Sequence, residues 1–348
     1  MDGSCPYIVV KTLNTPAPIS SFDFGHAGHL FAGSDDGTLR VYDLSSFKVL
    51  KAVRGLKNEV SSIACFKRSG SEFRDAWVAC GNQIFLFKMG MSSMIATAED
   101  AILSLRLTED DDVLNEHLAF STDSGVVGVV DLTSLLVVKM KEQHTSVCAC
   151  VKFVPDRPRE IVSAGYDETF LHFDFREGAI LSQQKISFSQ NTEGVSLSPP
   201  FILSTAFSST GILAAGTADG SLWIGLGGQK VHSKTKSKRY RKWNGLSDGE
   251  KQIFIKVVDG PIVAMSFSSP DILTTSTLLG SIAQWRINSE TSDRDKNIKE
   301  LWRKKGIALA KVNALVTNDT KIVIGGFSKD GKGIIEIWDR EAPIETSI

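Results

Sequence analysis

The sequence predicts an all-β fold: a seven-bladed β-propeller built of four-stranded antiparallel blades. Three observations carry this expectation. A tight polar turn followed by a strongly apolar strand recurs from Gly37 to Tyr42-Asp43, Asn82 to Phe87-Lys88, Gly125 to Val130-Asp131 and Glu168 to Phe173-Asp174. It recurs again from Gly220 to Gly225-Leu226, Gly280 to Trp285-Arg286 and Gly333 to Trp338-Asp339. The copies end at 43, 88, 131, 174, 226, 286 and 339, so successive steps are 45, 43, 43, 52, 60 and 53 residues. A basal period near 43, lengthened later by insertions, is what one propeller blade per copy requires. Finally, the apolar stretch Tyr7-Ile8-Val9-Val10-Lys11 precedes the first copy, while only nine residues follow Asp339. The N-terminal stretch is therefore expected to complete the last blade, closing the ring and hiding its edges.

The first copy shows the grammar. Ile19-Ser20-Ser21-Phe22-Asp23-Phe24 alternates with period two, His29-Leu30-Phe31-Ala32-Gly33 is continuously apolar, and Asp35-Asp36-Gly37 turns the chain. Thr38 to Asp43 forms a third strand and Val49 to Val53 a looser fourth. The Asp-Gly pair suits a tight hairpin because glycine takes positive φ without steric cost. Alternation marks a half-exposed strand, and continuous apolarity one packed on both faces. The same order returns over Val60 to Phe87, Ile102 to Asp131, Val147 to Asp174, Leu203 to Leu226, Ile262 to Arg286 and Val312 to Asp339. Ser163-Ala164-Gly165, Ala214-Ala215-Gly216 and Ile324-Gly325-Gly326 precede polar turns, where close packing of neighbouring blades calls for small side chains. One domain, 1–348, is expected, with a basic insertion at 228–250 and a charged insertion at 288–305. The balanced charge of the second reads as a flexible or marginally helical loop.

Composition narrows the function. Hydrophobic residues make up 42% of 348, enough for a large core, and a net charge of −1 argues against bulk attraction to nucleic acid or membrane. Five cysteines without framework spacing suit a reducing compartment, nuclear or cytoplasmic. Met1 to Pro6 has no basic region leading into an apolar stretch, and no apolar run is long enough to span a bilayer.

The repeats resemble those of the WD-repeat superfamily. Trp338-Asp339 is the intact Trp-Asp pair, Tyr42-Asp43, Val130-Asp131 and Phe173-Asp174 are relaxed versions, and Leu226 and Arg286 have lost the acid. A closer likeness to one of its subfamilies rests on His144 to Cys148, Phe153 to Pro158, Ile161 to Asp167, Ser198-Pro199-Pro200 and Gly211 to Gly220. The resemblance implies that the turn Asp167 bonds His144 and that Ser163 joins them. It also implies partners. Ile161 to Arg176, ending Phe173-Asp174-Phe175-Arg176, looks like the box by which WD-repeat substrate receptors dock on the damaged-DNA-binding adaptor of cullin-4 ubiquitin ligases. Asp167 and Asp174 would hold the turns, Phe173 would stand for the more usual tryptophan, and Arg176 would reach the adaptor with a forked guanidinium. The expected molecule is a monomeric propeller working inside protein complexes.

The basic stretch Lys230 to Trp243 holds Lys234, Lys236, Lys238, Arg239, Arg241 and Lys242, with Tyr240 and Trp243 interleaved. Three readings stand together: a solvated loop, a nuclear import signal, and a nucleic-acid patch with aromatics available for base stacking. The last supports an alternative function, an RNA-associated nuclear scaffold. No enzymatic constellation emerges. Cys148-Ala149-Cys150 would put two thiols on one strand face, too few for a metal site, and Glu109 to Asp112 lacks the alternation of a calcium loop. Gly225-Leu226-Gly227-Gly228 opens no helix and so cradles no phosphate. No metal, cofactor or catalytic residue is expected.

Overall fold

A computed structural model describes residues 4–25, 28–65, 76–88, 91–97, 102–107, 117–186, 198–228, 243–246, 251–288 and 297–341. Among the described residues there is no α-helix, and the strands form seven antiparallel sheets of four.

Strand β1 (Tyr7–Thr15) opens the chain, and the first blade follows as β2 (Ile19–Phe24), β3 (His29–Ser34), β4 (Leu39–Asp43) and β5 (Lys48–Val53). The second blade is β6 (Val60–Cys65), β7 (Ala76–Cys80), β8 (Gln83–Lys88) and β9 (Met91–Thr97). The third is β10 (Ile102–Leu107), β11 (His117–Thr122), β12 (Val127–Asp131) and β13 (Val137–Lys139). The fourth is β14 (Cys150–Phe153), β15 (Glu160–Ala164), β16 (Thr169–Asp174) and β17 (Ala179–Lys185). The fifth is β18 (Ile202–Phe207), β19 (Leu213–Thr217), β20 (Ser221–Gly225) and β21 (Gln252–Lys256). The sixth is β22 (Ile262–Ser269), β23 (Ile272–Thr277), β24 (Ser281–Ile287) and β25 (Ile298–Lys305). The seventh runs β26 (Lys311–Thr317), β27 (Lys321–Phe327) and β28 (Gly333–Arg340), and β1 supplies its fourth strand. Tyr7 pairs with Arg340 and Thr15 with Gly333, so the expected closure by the N-terminal strand is present.

The first strands of the blades neighbour one another around the axis, and the fourth strands lie outermost. Antiparallel order then sorts the loops. Turns between first and second strands, and between third and fourth, share one end of the ring, here the lower. Turns between second and third strands share the upper end with the connections from blade to blade.

The core lies between blades rather than within them. Seven apolar clusters occupy the seven junctions, for example Phe31, Leu39, Val60 and Ile63 between the first and second blades. Ile19, Ala314, Val323 and Ile335 fill the junction that closes the ring. Small residues permit this approach. An added Cβ would stand 2.7 Å from Val60 Cβ at Gly33, 2.8 Å from Ile262 Cβ at Gly216 and 2.9 Å from Ile19 Cγ2 at Gly325. Each of those neighbours opens the next blade's inner strand, so the small residues expected there have a packing reason.

Hydrogen bonds along the inner strands reinforce the junctions. Ser20 Oγ donates to Val60 O at 2.8 Å, Ser204 Oγ to Ile262 O at 2.9 Å and Asn313 Nδ2 to Ile19 O at 2.9 Å. Cys150 Sγ points at Leu203 O of the fifth blade, 3.5 Å away, whereas Cys148 packs with Val127 and Val129 of the third. The two thiols thus serve different junctions rather than one face.

One expectation fails. The charged insertion is no loop throughout, because Ile298 to Lys305 is strand β25, paired along β24. Trp302 decides this: it is 4% exposed, its Nε1 donates to Gln284 Oε1 at 3.0 Å, and its ring lies 5.6 Å from that of Tyr7. Residues 289–296 of that insertion lie outside the described residues.

Candidate functional site at the fourth blade

At the upper end of the fourth blade three side chains form a tie. His144 Nδ1 lies 2.9 Å from Asp167 Oδ1, and His144 Nε2 lies 2.8 Å from Ser163 Oγ. Asp167 also accepts from Thr145 N at 3.0 Å and Thr169 N at 3.2 Å. Burial would push the Asp167 carboxyl up, but the hydrogen bond and charge of His144, with the two backbone donors, hold it below the usual carboxylate range. The order Asp-His-Ser resembles a hydrolytic relay, yet His144 is 3% exposed and Ser163 1%, so no substrate reaches the hydroxyl. The arrangement fastens the connection from the third blade onto the fourth, as the resemblance implied.

The Phe173-Asp174-Phe175-Arg176 segment lies at the lower end, where β16 turns into β17. Phe173 is fully buried among Ile161, Leu171 and Val151, so it meets no partner directly and fixes the strand instead. Asp174 Oδ1 accepts from Arg176 N at 3.0 Å and Glu177 N at 3.3 Å. Asp131 does the same for Thr133 N and Ser134 N in the third blade, and Asp43 for Ser45 N in the first. There the Ser46 hydroxyl, followed by Ser45, pulls the Asp43 carboxyl down to about 2.

The carboxylate cap is therefore common to these turns, and the residue it presents is what differs: Ser45, Thr133 and Arg176. Phe175 rivets the turn. It is buried, its N donates to Arg159 O at 2.9 Å, and its ring meets those of Phe153 at 5.7 Å and His117 at 4.9 Å. Arg176 is left exposed, and among the described residues no ion pair engages its guanidinium.

Beside this turn the structure holds a polar cluster that sequence reasoning missed. Glu160 Oε2 is 2.9 Å from His172 Nε2 and accepts from Trp243 N at 2.9 Å, while His172 Nδ1 is 3.0 Å from Ser182 Oγ. Burial raises the Glu160 carboxyl, and the His172 hydrogen bond with the Trp243 N–H more than reverses that, leaving it below its ordinary value. Val162 pairs with His172, so Glu160 and His172 are diagonal neighbours on one sheet face. Two polar residues in otherwise buried strands were the available signal.

Trp243 corrects another expectation. It is 3% exposed, its Nε1 donates to Gly211 O at 2.9 Å, and its ring meets those of His172 and Phe207, each at 5.3 Å. It is a core residue of the junction between the fourth and fifth blades and cannot stack on a base. The cations of the basic stretch, Lys234, Lys236, Lys238, Arg239, Arg241 and Lys242, lie outside the described residues. Among the described residues no group of three or more His, Cys, Asp or Glu could hold a metal ion, and no helix is long and apolar enough to cross a membrane.

Fold and period together define a seven-bladed β-propeller, and its tie resembles that of WD-type repeats. Residues 8–43, spanning β1 to β4, match the family model described as WD domain, G-beta repeat. The chain is similar to the WD repeat-containing protein 53 homolog of Dictyostelium discoideum, with 25% identity over 215 residues. That match covers 56% of this chain and spans 57%, little more than half, of the relative's length. Both findings bear out the resemblance drawn from the repeats and from the His144 to Gly220 region.

Proposed function

We propose that this chain is a non-enzymatic platform that docks, through the lower end of its fourth blade, on the damaged-DNA-binding adaptor of a cullin-4-type ubiquitin ligase. In this reading it brings substrate proteins to the ligase in the nucleus or cytoplasm. One observation supports the reading above the rest. A turn whose carboxylate cap recurs in other blades carries, in the fourth alone among those three, an exposed arginine, and the aromatic residues on either side of Asp174 are buried beneath it. A rigid turn presenting a guanidinium loses little entropy on binding, and arginine is enriched among residues that dominate interface energies.

Arg176→Ala should weaken binding of the purified adaptor by about tenfold or more, with an unchanged melting temperature because the side chain is exposed and makes no ion pair among the described residues. Biolayer interferometry with purified components reads this directly. Equal binding of both proteins removes Arg176 from the account. Binding that instead follows neutralisation of Lys234 to Lys242 and falls steeply with salt would favour the RNA-associated scaffold.

A further inference from the structure

The upper end departs from its own pattern at the sixth blade. Just before the residue whose N–H closes the turn between second and third strands stand Asp36, Ser124, Asp167, Asp219 and Asp330, whereas the second blade has Gly81 in its shorter turn and the sixth has Leu279. The acids cap their turns: Asp36 accepts from Thr38 N at 3.0 Å and Asp219 from Ser221 N at 3.2 Å. Leu279 does no such work and stands 58% exposed. On the adjoining connection to the seventh blade is Ile307, at 74% the most exposed large apolar side chain described.

Both residues are held in place. Gly306 N donates to Gly280 O at 2.9 Å, which joins the two loops, and Val312 N donates to Leu278 O at 2.9 Å. Ile307 N donates to Glu336 Oε1 at 2.8 Å and Ala308 N to the same oxygen at 2.5 Å. Glu336 is fully buried, and among the described residues its Oε2 has no hydrogen-bond partner. Burying a carboxylate half-satisfied is costly, and here the result is a loop that keeps a large apolar side chain in water.

Positive charge is also in excess beside these two residues. Lys305, Lys311, Lys329 and Lys332 are exposed around the sixth and seventh blades and outnumber the exposed acids there, Asp259 and Asp330, the second of which Lys332 approaches at 3.5 Å. Around the first three blades the exposed charges are mixed, with Asp35, Asp36, Glu59 and Asp123 beside Arg54 and Lys57.

We propose that Leu279 and Ile307 anchor a peptide-docking surface at the upper junction of the sixth and seventh blades, which receives a segment carrying a large apolar residue flanked by acidic ones. The inference rests on the platform reading and supplies the chemistry of what is brought to it, at the end of the ring opposite Arg176. An exposed apolar pair on rigid loops marks an interaction site, and the surrounding lysines select the sign of the partner's flanks.

The test pans a displayed library of random peptides against the full chain, without adaptor, so that the adaptor reading can fail without touching the outcome. Recovered peptides should pair a large apolar residue with Asp or Glu. By fluorescence polarisation their affinity should fall roughly tenfold in Leu279→Asp and in Ile307→Ser, and severalfold when Lys305 and Lys329 are both changed to Glu. Leu279→Asp supplies the acid that four of the other turns carry, so its melting temperature should hold or rise while binding is lost. Recovery of no peptide, of basic peptides, or of peptides that bind Leu279→Asp equally well would overturn the proposal. So would a dimer of this chain that Leu279→Asp dissolves, which would assign the patch to self-association.

Discussion

Asp167 gathers donors from two loops, and its ionised form is what they favour. Its folded carboxyl lies below the unfolded value, about 3.9, so its contribution is complete above that value and drains away as pH falls through the depressed one. Asp167→Asn should lose about 1–3 kcal/mol at neutral pH and show a shallower loss of stability between neutrality and pH ~3. Urea midpoints at the two pH values decide it, and an unchanged acid slope would exclude this carboxylate. His144, Ser163 and Asp167 were legible because the resemblance assigns them by position. Glu160, His172 and Trp243 were not. Pairing of β15 with β16 brings together Glu160 and His172, 12 apart in sequence, and the packed junction adds Trp243, 83 from Glu160. Trp243 in particular follows a run of cations whose polarity hid a core residue.

Strands with a buried inner face announced themselves, while outer strands did so unevenly: β1 and β5 were legible and β25 was not. β3 is buried at every position, as its unbroken apolar run required. β25 reads Ile-Lys-Glu-Leu-Trp-Arg-Lys-Lys and is mostly exposed, since an outermost strand pairs along one edge and leaves the other to water. Such a strand needs little periodicity, so the insertion passed for a loop. Inner strands face the opposite demand, close approach. Gly216→Ala would place a methyl 2.6 Å from Ile262 Cγ2 and 2.8 Å from Met265 Cε, and should destabilise by about 1–3 kcal/mol. Chemical denaturation of the purified variant measures this, and a neutral result would show that the fifth and sixth blades part more readily than their packing suggests.

Across the whole molecule, each blade presents two apolar faces and each junction buries one from either side, so no blade completes its core alone. Closure depends on β1, whose removal would bare the edge of β28 and uncover Trp338 and Ile337, both fully buried. Deleting residues 1–15 should abolish a single cooperative thermal transition or lower its midpoint by well over ten degrees, read by calorimetry. A truncated protein that melts like the intact one would show that the seventh blade stands on three strands. The ring also keeps the Arg176 turn and the Leu279–Ile307 pair at opposite poles, so the proposed adaptor and the proposed peptide would not compete for one surface. The pairing of Tyr7 with Arg340 has a further consequence during synthesis. β1 is translated before all the other strands of the ring and must wait for β28, its hydrogen-bonding edge unmatched throughout. Pauses or premature stops ahead of β28 would therefore strand a sticky ribbon, and chaperone demand should be greatest for chains that stop after the sixth blade.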